Sequence, residues 1–159
     1  PASAYQIVSM LQGVIQRGTG RIIKAVGKPL AGKTGTTNKS VDAWFIGFSP
    51  DLALGVYAGF DEPRSLGRRE QGASVAAPIF RDFMAAALKG KPAIPFRIPP
   101  GIRLVRVNAA TGRLARAGDH RVILEAFKPG TLPNGEQRVL RGETALSGET
   151  PGTGTGGLY

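Results

Sequence analysis

Two apolar runs joined by a three-residue turn constrain the fold of this chain more than any other feature. The runs are Ala43 to Phe48 and Leu52 to Phe60, and the turn is Ser49-Pro50-Asp51. Proline is preset for the first corner of a turn, so a β-hairpin is predicted. Pro29 to Thr37 has no helical period and is predicted to add a third strand to an antiparallel meander. Both runs are apolar on both faces, so we expect helices on each side of the sheet.

Two helices are predicted to supply this cover, which gives an α/β (α+β) fold class. The first spans Ser3 to Arg17, and Ser3 and Gln6 have the spacing of a capping box. Its apolar face consists of Ile7, Leu11, Val14 and Ile15. The second spans Ala76 to Lys89, with Pro78 in its first turn. Its predicted buried stripe consists of Ile79, Phe80, Phe83, Met84, Ala87 and Leu88.

The character of the sequence changes after residue 95. Residues 1–95 carry the predicted sheet and helices, whereas residues 96–141 form a small basic extension. In this extension, Ile102 to Asn108 and Arg121 to Glu125 are predicted to be short strands. Residues 142–159 are rich in Gly and Thr and contain Gly-Glu-Thr twice, so we expect a disordered tail there.

The charge and the missing residue types narrow the possible functions. The 159 residues carry a formal net charge of +10, no cysteine and one histidine, His120. A chain without cysteine cannot use a thiolate, and a lone histidine argues against a Ser-His-Asp triad or a histidine metal site. The basic residues are scattered without interleaved aromatics, so nucleic-acid binding is not expected. A solvated basic surface, or attraction to anionic lipid or wall polymer, accounts for the charge.

The stretch Gly27 to Thr37 matches two motifs that imply different chemistry. Gly27 with Gly32-Lys33-Thr34 fits the phosphate-binding loop G-x-x-x-x-G-K-[ST], which must open a helix. The residues that follow would make a poor first helical turn, and an aromatic strand comes soon after. Lys33-Thr34-Gly35 is also the K-T-G motif of penicillin-binding proteins and serine β-lactamases, which lies on a strand. The predicted meander favours the second motif.

A longer match supports the K-T-G motif. The chain resembles the class A penicillin-binding proteins, the bifunctional peptidoglycan synthases, over roughly residues 3–95. The matching segments are Gln16 to Gly20, Ala31 to Asn38, Asp42 to Asp51 and Ala77 to Met84. This resemblance implies a β-lactamase/transpeptidase-like fold, of which the chain would be a partial domain.

The resemblance also implies roles for the motif residues. The family's substrate is a peptidoglycan stem peptide ending in D-Ala-D-Ala, which β-lactams mimic as inhibitors. The hydroxyls of Thr34 and Thr36 would bind its carboxylate, and Lys33 would supply positive charge. Gly35 would let the substrate approach the backbone, and the Thr36 amide would be one donor of the oxyanion hole. No metal, nucleotide or other cofactor is implied.

Two further family motifs, Ser-x-x-Lys for the nucleophile and Ser-x-Asn, do not occur in the chain. Both precede the Lys-Thr-Gly strand in the family. We therefore expect the chain to begin late in its domain, to be inactive alone, and to work beside the upstream part that carries them. The resemblance places the parent on the periplasmic, extracytoplasmic face of the inner membrane, held by an upstream anchor.

Two other functions stay open. A D,D-carboxypeptidase or β-lactamase-type serine acyl enzyme would share the K-T-G strand but use water to resolve the acyl-enzyme. A non-catalytic periplasmic module would bind wall polymer through the basic segment. Two features are expected to be structural only: Trp44 as a core residue, and Arg64, Arg68 and Arg69 as part of a solvated loop.

Overall fold

The computed structural model describes residues 1–133 of the chain. Its elements are α1 (Ala2–Arg17), a 3-10 helix (Arg21–Val26), β1 (Ala31–Thr36), a 3-10 turn (Asn38–Ser40), β2 (Ala43–Phe48), β3 (Ala53–Ala58), a π-helical turn (Gly72–Ala76), α2 (Ala77–Ala87), β4 (Arg103–Asn108) and β5 (Val122–Phe127). The predicted combination of helices and an antiparallel sheet is confirmed. Within the described part, no helix is both long and apolar enough to cross a bilayer.

The three predicted strands form one antiparallel sheet in the order β1-β2-β3. The hydroxyl oxygen of Ser49 accepts hydrogen bonds from the Asp51 and Leu52 amides at 3.3 and 3.1 Å, which closes the predicted turn. Directly opposed residues share a face of a sheet. We call one face inner; it carries Gly32, Thr34, Thr36, Ala43, Phe45, Gly47, Leu54, Val56 and Ala58. The outer face carries Ala31, Lys33, Gly35, Trp44, Ile46, Phe48, Ala53, Gly55 and Tyr57.

The hydrophobic core lies against the inner face. The rings of Phe45 and Phe80 are both fully buried, with centroids 4.6 Å apart. The buried side chains around them come from α1, the 3-10 helix, the residue before β1, and α2 with its C-cap, namely Ile15, Ile23, Leu30, Met84 and Leu88. Gly47 keeps the space for these rings, because a Cβ there would lie 2.8 Å from Cζ of Phe80. The expectation that helices would cover each side of the sheet is met on this face.

The outer face receives little cover from the described residues. Trp44, Ile46 and Tyr57 are 38%, 58% and 51% exposed. The end of the sheet at Phe48 is the exception, since the ring of Phe96 packs edge-on against Phe48 at 5.6 Å and the opposed Ala31 is fully buried. An apolar strand pattern indicates that both faces tend to be buried, but it does not tell which chain segment covers them.

The first helix begins earlier than predicted, and the predicted capping box is wrong. Ala2 is already helical, so Ser3 lies inside the first turn, and Pro1 before it has no capping side chain. The Nε2 of Gln6 instead donates to the Ala126 carbonyl at 2.9 Å. Of the predicted apolar face, Ile15 is buried whereas Ile7 is 55% exposed.

The second helix begins at Ala77, directly after the π-helical turn, with Pro78 in its first turn as predicted. Its buried stripe is narrower than predicted. Phe80, Met84 and Leu88 are buried at a spacing of four residues, whereas Ile79 and Phe83 are about half exposed. One row of side chains therefore faces the sheet, rather than two.

The described residues divide into two compact units. The first contains Pro1–Val105 and Leu124–Leu132, and the second contains Arg106–Ile123 and Pro133. Within the first, Arg17 forms a 2.6 Å ion pair with Glu125. Within the second, the Asn108 side chain accepts from the Ala110 and Thr111 amides and forms a turn.

The strands predicted in the basic extension correspond to β4 and β5, which pair with each other. The domain boundary predicted after residue 95 stays a prediction. Residues 134–141 of the extension and the tail predicted at 142–159 lie outside the described residues.

Candidate functional site

The Lys-Thr-Gly segment lies on an edge strand. It falls within β1 (Ala31–Thr36), and in the described part of the chain β1 pairs with β2 alone. A strand edge offers main-chain groups that an extended peptide can pair with. Because the strand continues through Gly35 and Thr36, the segment does not open a helix. A phosphate-binding loop needs a helix N-terminus directly after it, so the strand argues against that alternative.

The charge of Lys33 is not neutralised by a carboxylate among the described residues. Its side chain is exposed, and its ammonium donates to the Thr34 carbonyl at 3.0 Å and approaches the Thr34 hydroxyl at 3.4 Å. Within residues 1–133 the ion pairs are Arg17–Glu125 and Arg81–Asp82. The ammonium is therefore available to a bound anion at the strand edge.

The hydroxyls of the two predicted threonines each have a partner from another element. Thr34 Oγ1 lies 2.9 Å from the Oγ1 of Thr19, just beyond the end of α1. Thr36 Oγ1 accepts a 3.0 Å hydrogen bond from the amide of Gly72. Neither partner was predicted from the sequence, because they lie 15 and 36 residues away in the chain. The only signal was that Thr19 lies in a segment resembling the family.

Packing within the sheet itself favours a glycine at position 35 of the motif. A Cβ on Gly35 would lie 3.2 Å from the Cβ of Trp44, which is tighter than nine in ten real Cβ contacts. A side chain at Gly35 would therefore require Trp44 on the neighbouring strand to shift by a few tenths of an ångström. The predicted role of Gly35 in admitting substrate stays a prediction.

The prediction that Trp44 is a core residue is wrong. Its ring is 38% exposed on the outer face and packs against Tyr57, with centroids 4.6 Å apart. The Tyr57 hydroxyl donates to a carboxylate oxygen of Asp42 at 3.0 Å, and this bond raises the pKa of Tyr57. The Asp42 amide in turn donates to the Thr37 hydroxyl at 2.7 Å. This chain of contacts holds the turn that follows Thr36.

The arginines of the loop after β3 are exposed, as predicted. Within the described residues, neither Arg68 nor Arg69 forms an ion pair with an acidic side chain. The guanidinium of Arg64 lies 3.9 Å from the ring centroid of Phe60. This cation–π contact orders one arginine without forming a site.

Comparison with known proteins agrees with this geometry. Residues 1–85 match the penicillin binding protein transpeptidase domain. The chain belongs to the penicillin-binding protein transpeptidase family. The family and fold class predicted from the K-T-G strand are thereby confirmed.

Individual relatives extend the match beyond residue 85. The chain is 50% identical over 127 residues to penicillin-binding protein 1A of Rickettsia conorii, an alignment covering 80% of this chain. It is 48% identical over 132 residues to penicillin-binding protein 1A of Pseudomonas aeruginosa, covering 82% of this chain. The chain spans only 16% of the length of each of these relatives.

A solved penicillin-binding protein shares the fold. The 2.6 Å crystal structure of penicillin-binding protein 1A from Haemophilus influenzae is similar with a TM-score of 0.73 and 35% sequence identity. The match covers 87% of this chain and 22% of that chain.

Proposed function

We propose that this chain is the part of a peptidoglycan D,D-transpeptidase that binds the terminal carboxylate of the stem peptide. The observation that carries this proposal is the edge strand β1. It presents the exposed Lys33 ammonium, without an acidic partner in the described residues, 3.4 Å from the Thr34 hydroxyl, and Thr36 lies two residues further along the same strand. Family membership through residues 1–85 supports the assignment.

The chemistry of the strand suits an anionic peptide terminus. A carboxylate only accepts hydrogen bonds, whereas an ammonium only donates and a hydroxyl can donate. Charge-assisted hydrogen bonds to Lys33, Thr34 and Thr36 would hold the carboxylate, and the edge of β1 would pair with the extended stem peptide. β-Lactams, which carry a carboxylate of their own, would bind in the same place.

The reaction would need a nucleophile from the upstream part of the same domain. A serine of a Ser-x-x-Lys motif would attack the D-Ala-D-Ala carbonyl, D-Ala would leave, and an amine of a second stem peptide would resolve the acyl-enzyme. The Thr36 amide would donate to the developing oxyanion; a single donor of this type contributes a few kcal/mol to transition-state stability.

The outer face of the sheet is the surface on which that upstream part would pack. Lys33 shares this face with three exposed apolar side chains, Trp44, Ile46 and Tyr57. Burial of these side chains would favour association of the upstream part with this chain. It would also bring the nucleophile to the outer face, which carries Lys33. The intact enzyme would act on the extracytoplasmic face of the inner membrane, held there by an upstream anchor.

Labelling with fluorescent penicillin tests the proposal. The chain is co-expressed with the upstream part of its domain, and covalent label is resolved on a denaturing gel. We expect label on the serine-bearing partner, and its loss when Lys33→Ala removes the ammonium from the site. Lys24→Ala is the matched control, because Lys24 is an exposed lysine of the 3-10 helix that lies outside β1.

Other outcomes of this experiment have defined meanings. No label, with the two parts associated and folded, would overturn the proposal and favour a wall-binding module. Labelling followed by D-Ala release from stem peptides without cross-linked product would indicate a D,D-carboxypeptidase instead.

A further inference from the structure

The segment that follows the arginine loop crosses the end of the K-T-G strand at Gly72. Gly72 is buried, and its amide donates to the Thr36 hydroxyl at 3.0 Å. A Cβ on Gly72 would lie closer than 3.0 Å to the carbonyl oxygens of Gly35 and Trp44, a distance that real Cβ atoms essentially never show. Only a glycine lets this backbone come close enough to the strand to donate to Thr36.

The turn that presents the Gly72 amide is fixed on both sides. Gly72–Ala76 is a π-helical turn, a rare conformation that is frequent at functional sites. At its start, the hydroxyl of Ser74 within the turn accepts from the Gln71 amide at 2.9 Å and donates to the Arg69 carbonyl at 2.8 Å. At its end, Ala76 and the following Ala77 are buried in the core. The amide is therefore held in place rather than carried on a free loop.

The direction of this hydrogen bond decides what the Thr36 hydroxyl can do. A backbone N–H can only donate, so the Thr36 oxygen must accept from Gly72. The single hydroxyl proton of Thr36 then points to another acceptor. Thr34 differs, because its partner is the Thr19 hydroxyl and either oxygen can be the donor. Gly72 thus gives Thr36 the defined role of hydrogen-bond donor, which an acceptor-only carboxylate requires.

We propose that Gly72 is a positioning residue of the substrate site, whose amide orients the Thr36 hydroxyl to donate to the bound carboxylate. This role presupposes the carboxylate-binding function proposed above for β1. Preorganised donors bind an anion without the cost of reorientation. The loop and π-helical turn after β3 are then a support for the site and not merely a connection to α2.

The test compares two probes in the parent protein that contains this chain together with its nucleophile. The probes are one β-lactam with a free carboxylate and the same β-lactam with that carboxylate methylated. The measured quantity is the acylation rate constant of the free carboxylate divided by that of the methyl ester. We expect Gly72→Ala to lower this ratio about tenfold, as for the loss of a hydrogen bond to a charged group. Thr36→Val, which lacks the hydroxyl, should lower the ratio similarly, whereas Thr36→Ser should retain it. Because Gly72 acts through the Thr36 hydroxyl, the Gly72→Ala/Thr36→Val double variant should have a ratio no lower than that of Thr36→Val.

Gly13→Ala is the matched control. It adds the same methyl group on α1, outside β1 and off the outer face, where the nearest atoms belong to the flexible guanidinium end of Arg17, so the ratio should stay at the wild-type value. An equal loss for both probes in Gly72→Ala, or additive effects in the double variant, would overturn the positioning role. If Gly72→Ala does not fold, Ser74→Ala decides. This variant removes the Ser74 hydroxyl's bonds to the Gln71 amide and the Arg69 carbonyl, which fix the start of the turn, and an unchanged ratio would also overturn the role.

The wild-type protein separates this inference from the function on which it depends. A wild type that is not acylated, or that reacts equally with both probes, would refute the proposed carboxylate site itself. A wild type that prefers the free carboxylate, together with a Gly72→Ala variant that keeps the preference, would refute the role of Gly72 alone.

Discussion

The two faces of the three-stranded sheet differ although the same three strands build them. On the inner face, Phe45 is fully buried against Phe80, and side chains from the helices complete a closed core. On the outer face, Trp44, Ile46 and Tyr57 are between 38% and 58% exposed. The K-T-G residues divide between these faces, with Lys33 and Gly35 on the outer face and both threonines on the inner face.

The two faces therefore have different roles: the inner face stabilises the described part, and the outer face bears on its proposed function. The inner face packs its apolar side chains against the helices, and burial of such side chains stabilises the sheet and helices together. Its threonines at the strand edge are tied to that core through Thr19 and Gly72. Within residues 1–133, the outer face places the Lys33 ammonium, without a carboxylate partner, among apolar side chains, which suits a surface completed by another part of the parent protein.

The largest expected effect is on the inner face. Phe45→Ala removes a fully buried ring that packs at 4.6 Å against Phe80. Truncation of such a residue leaves a cavity and typically costs about 3–5 kcal/mol of the free energy of unfolding. Urea unfolding followed by circular dichroism measures it. Ile46→Ala, one position along the same strand but 58% exposed, should change stability by about 0.5 kcal/mol. Equal losses at the two positions would mean that the outer face is covered in solution.

An intermediate effect is expected when the outer face is made charged. Ile46→Asp should leave the folded chain intact but weaken its association with the upstream part of the domain by at least about tenfold, since it places a carboxylate in an apolar contact. Titration of one purified part with the other, by fluorescence anisotropy, measures the dissociation constant. Ile79→Asp is the matched control, because Ile79 is also an isoleucine, 50% exposed, and lies on α2. Equal weakening by both variants would show that the outer face is not the specific contact.

Local sequence signals were sufficient for the sheet and insufficient for its surroundings. The hairpin could be predicted because the turn chemistry of Ser49-Pro50-Asp51 and the apolar runs beside it act over a few residues. The capping box failed for a related reason. The spacing of Ser3 and Gln6 is that of a capping box. In the structure, however, the Gln6 side chain bonds to the carbonyl of Ala126, a residue far away in the chain, which local spacing cannot predict.

The candidate site shows the same limit. Lys33 to Thr36 could be identified because the motif is contiguous and its strand context is visible in the sequence. The burial of Trp44 could not be judged, since an aromatic residue in a strand gives no indication of which segment covers it. The roles of Thr19 and Gly72 were also hidden, because each depends on a hydrogen bond between residues that only folding brings together.

The smallest expected effect is a pH dependence on the outer face. The hydrogen bond from Tyr57 to Asp42 raises the pKa of the Tyr57 phenol in the folded chain. The folded state therefore holds this proton more tightly than the unfolded state, so the contribution to stability is complete below about pH 10 and is lost as pH rises through the folded pKa. Tyr57→Phe removes this contribution. The difference in unfolding free energy between wild type and Tyr57→Phe should be constant near neutral pH and shrink in alkaline solution, as urea titrations at several pH values would show. A difference that stays constant through the alkaline range would mean that the bond to Asp42 does not persist in solution, as can happen for an exposed pair screened by water.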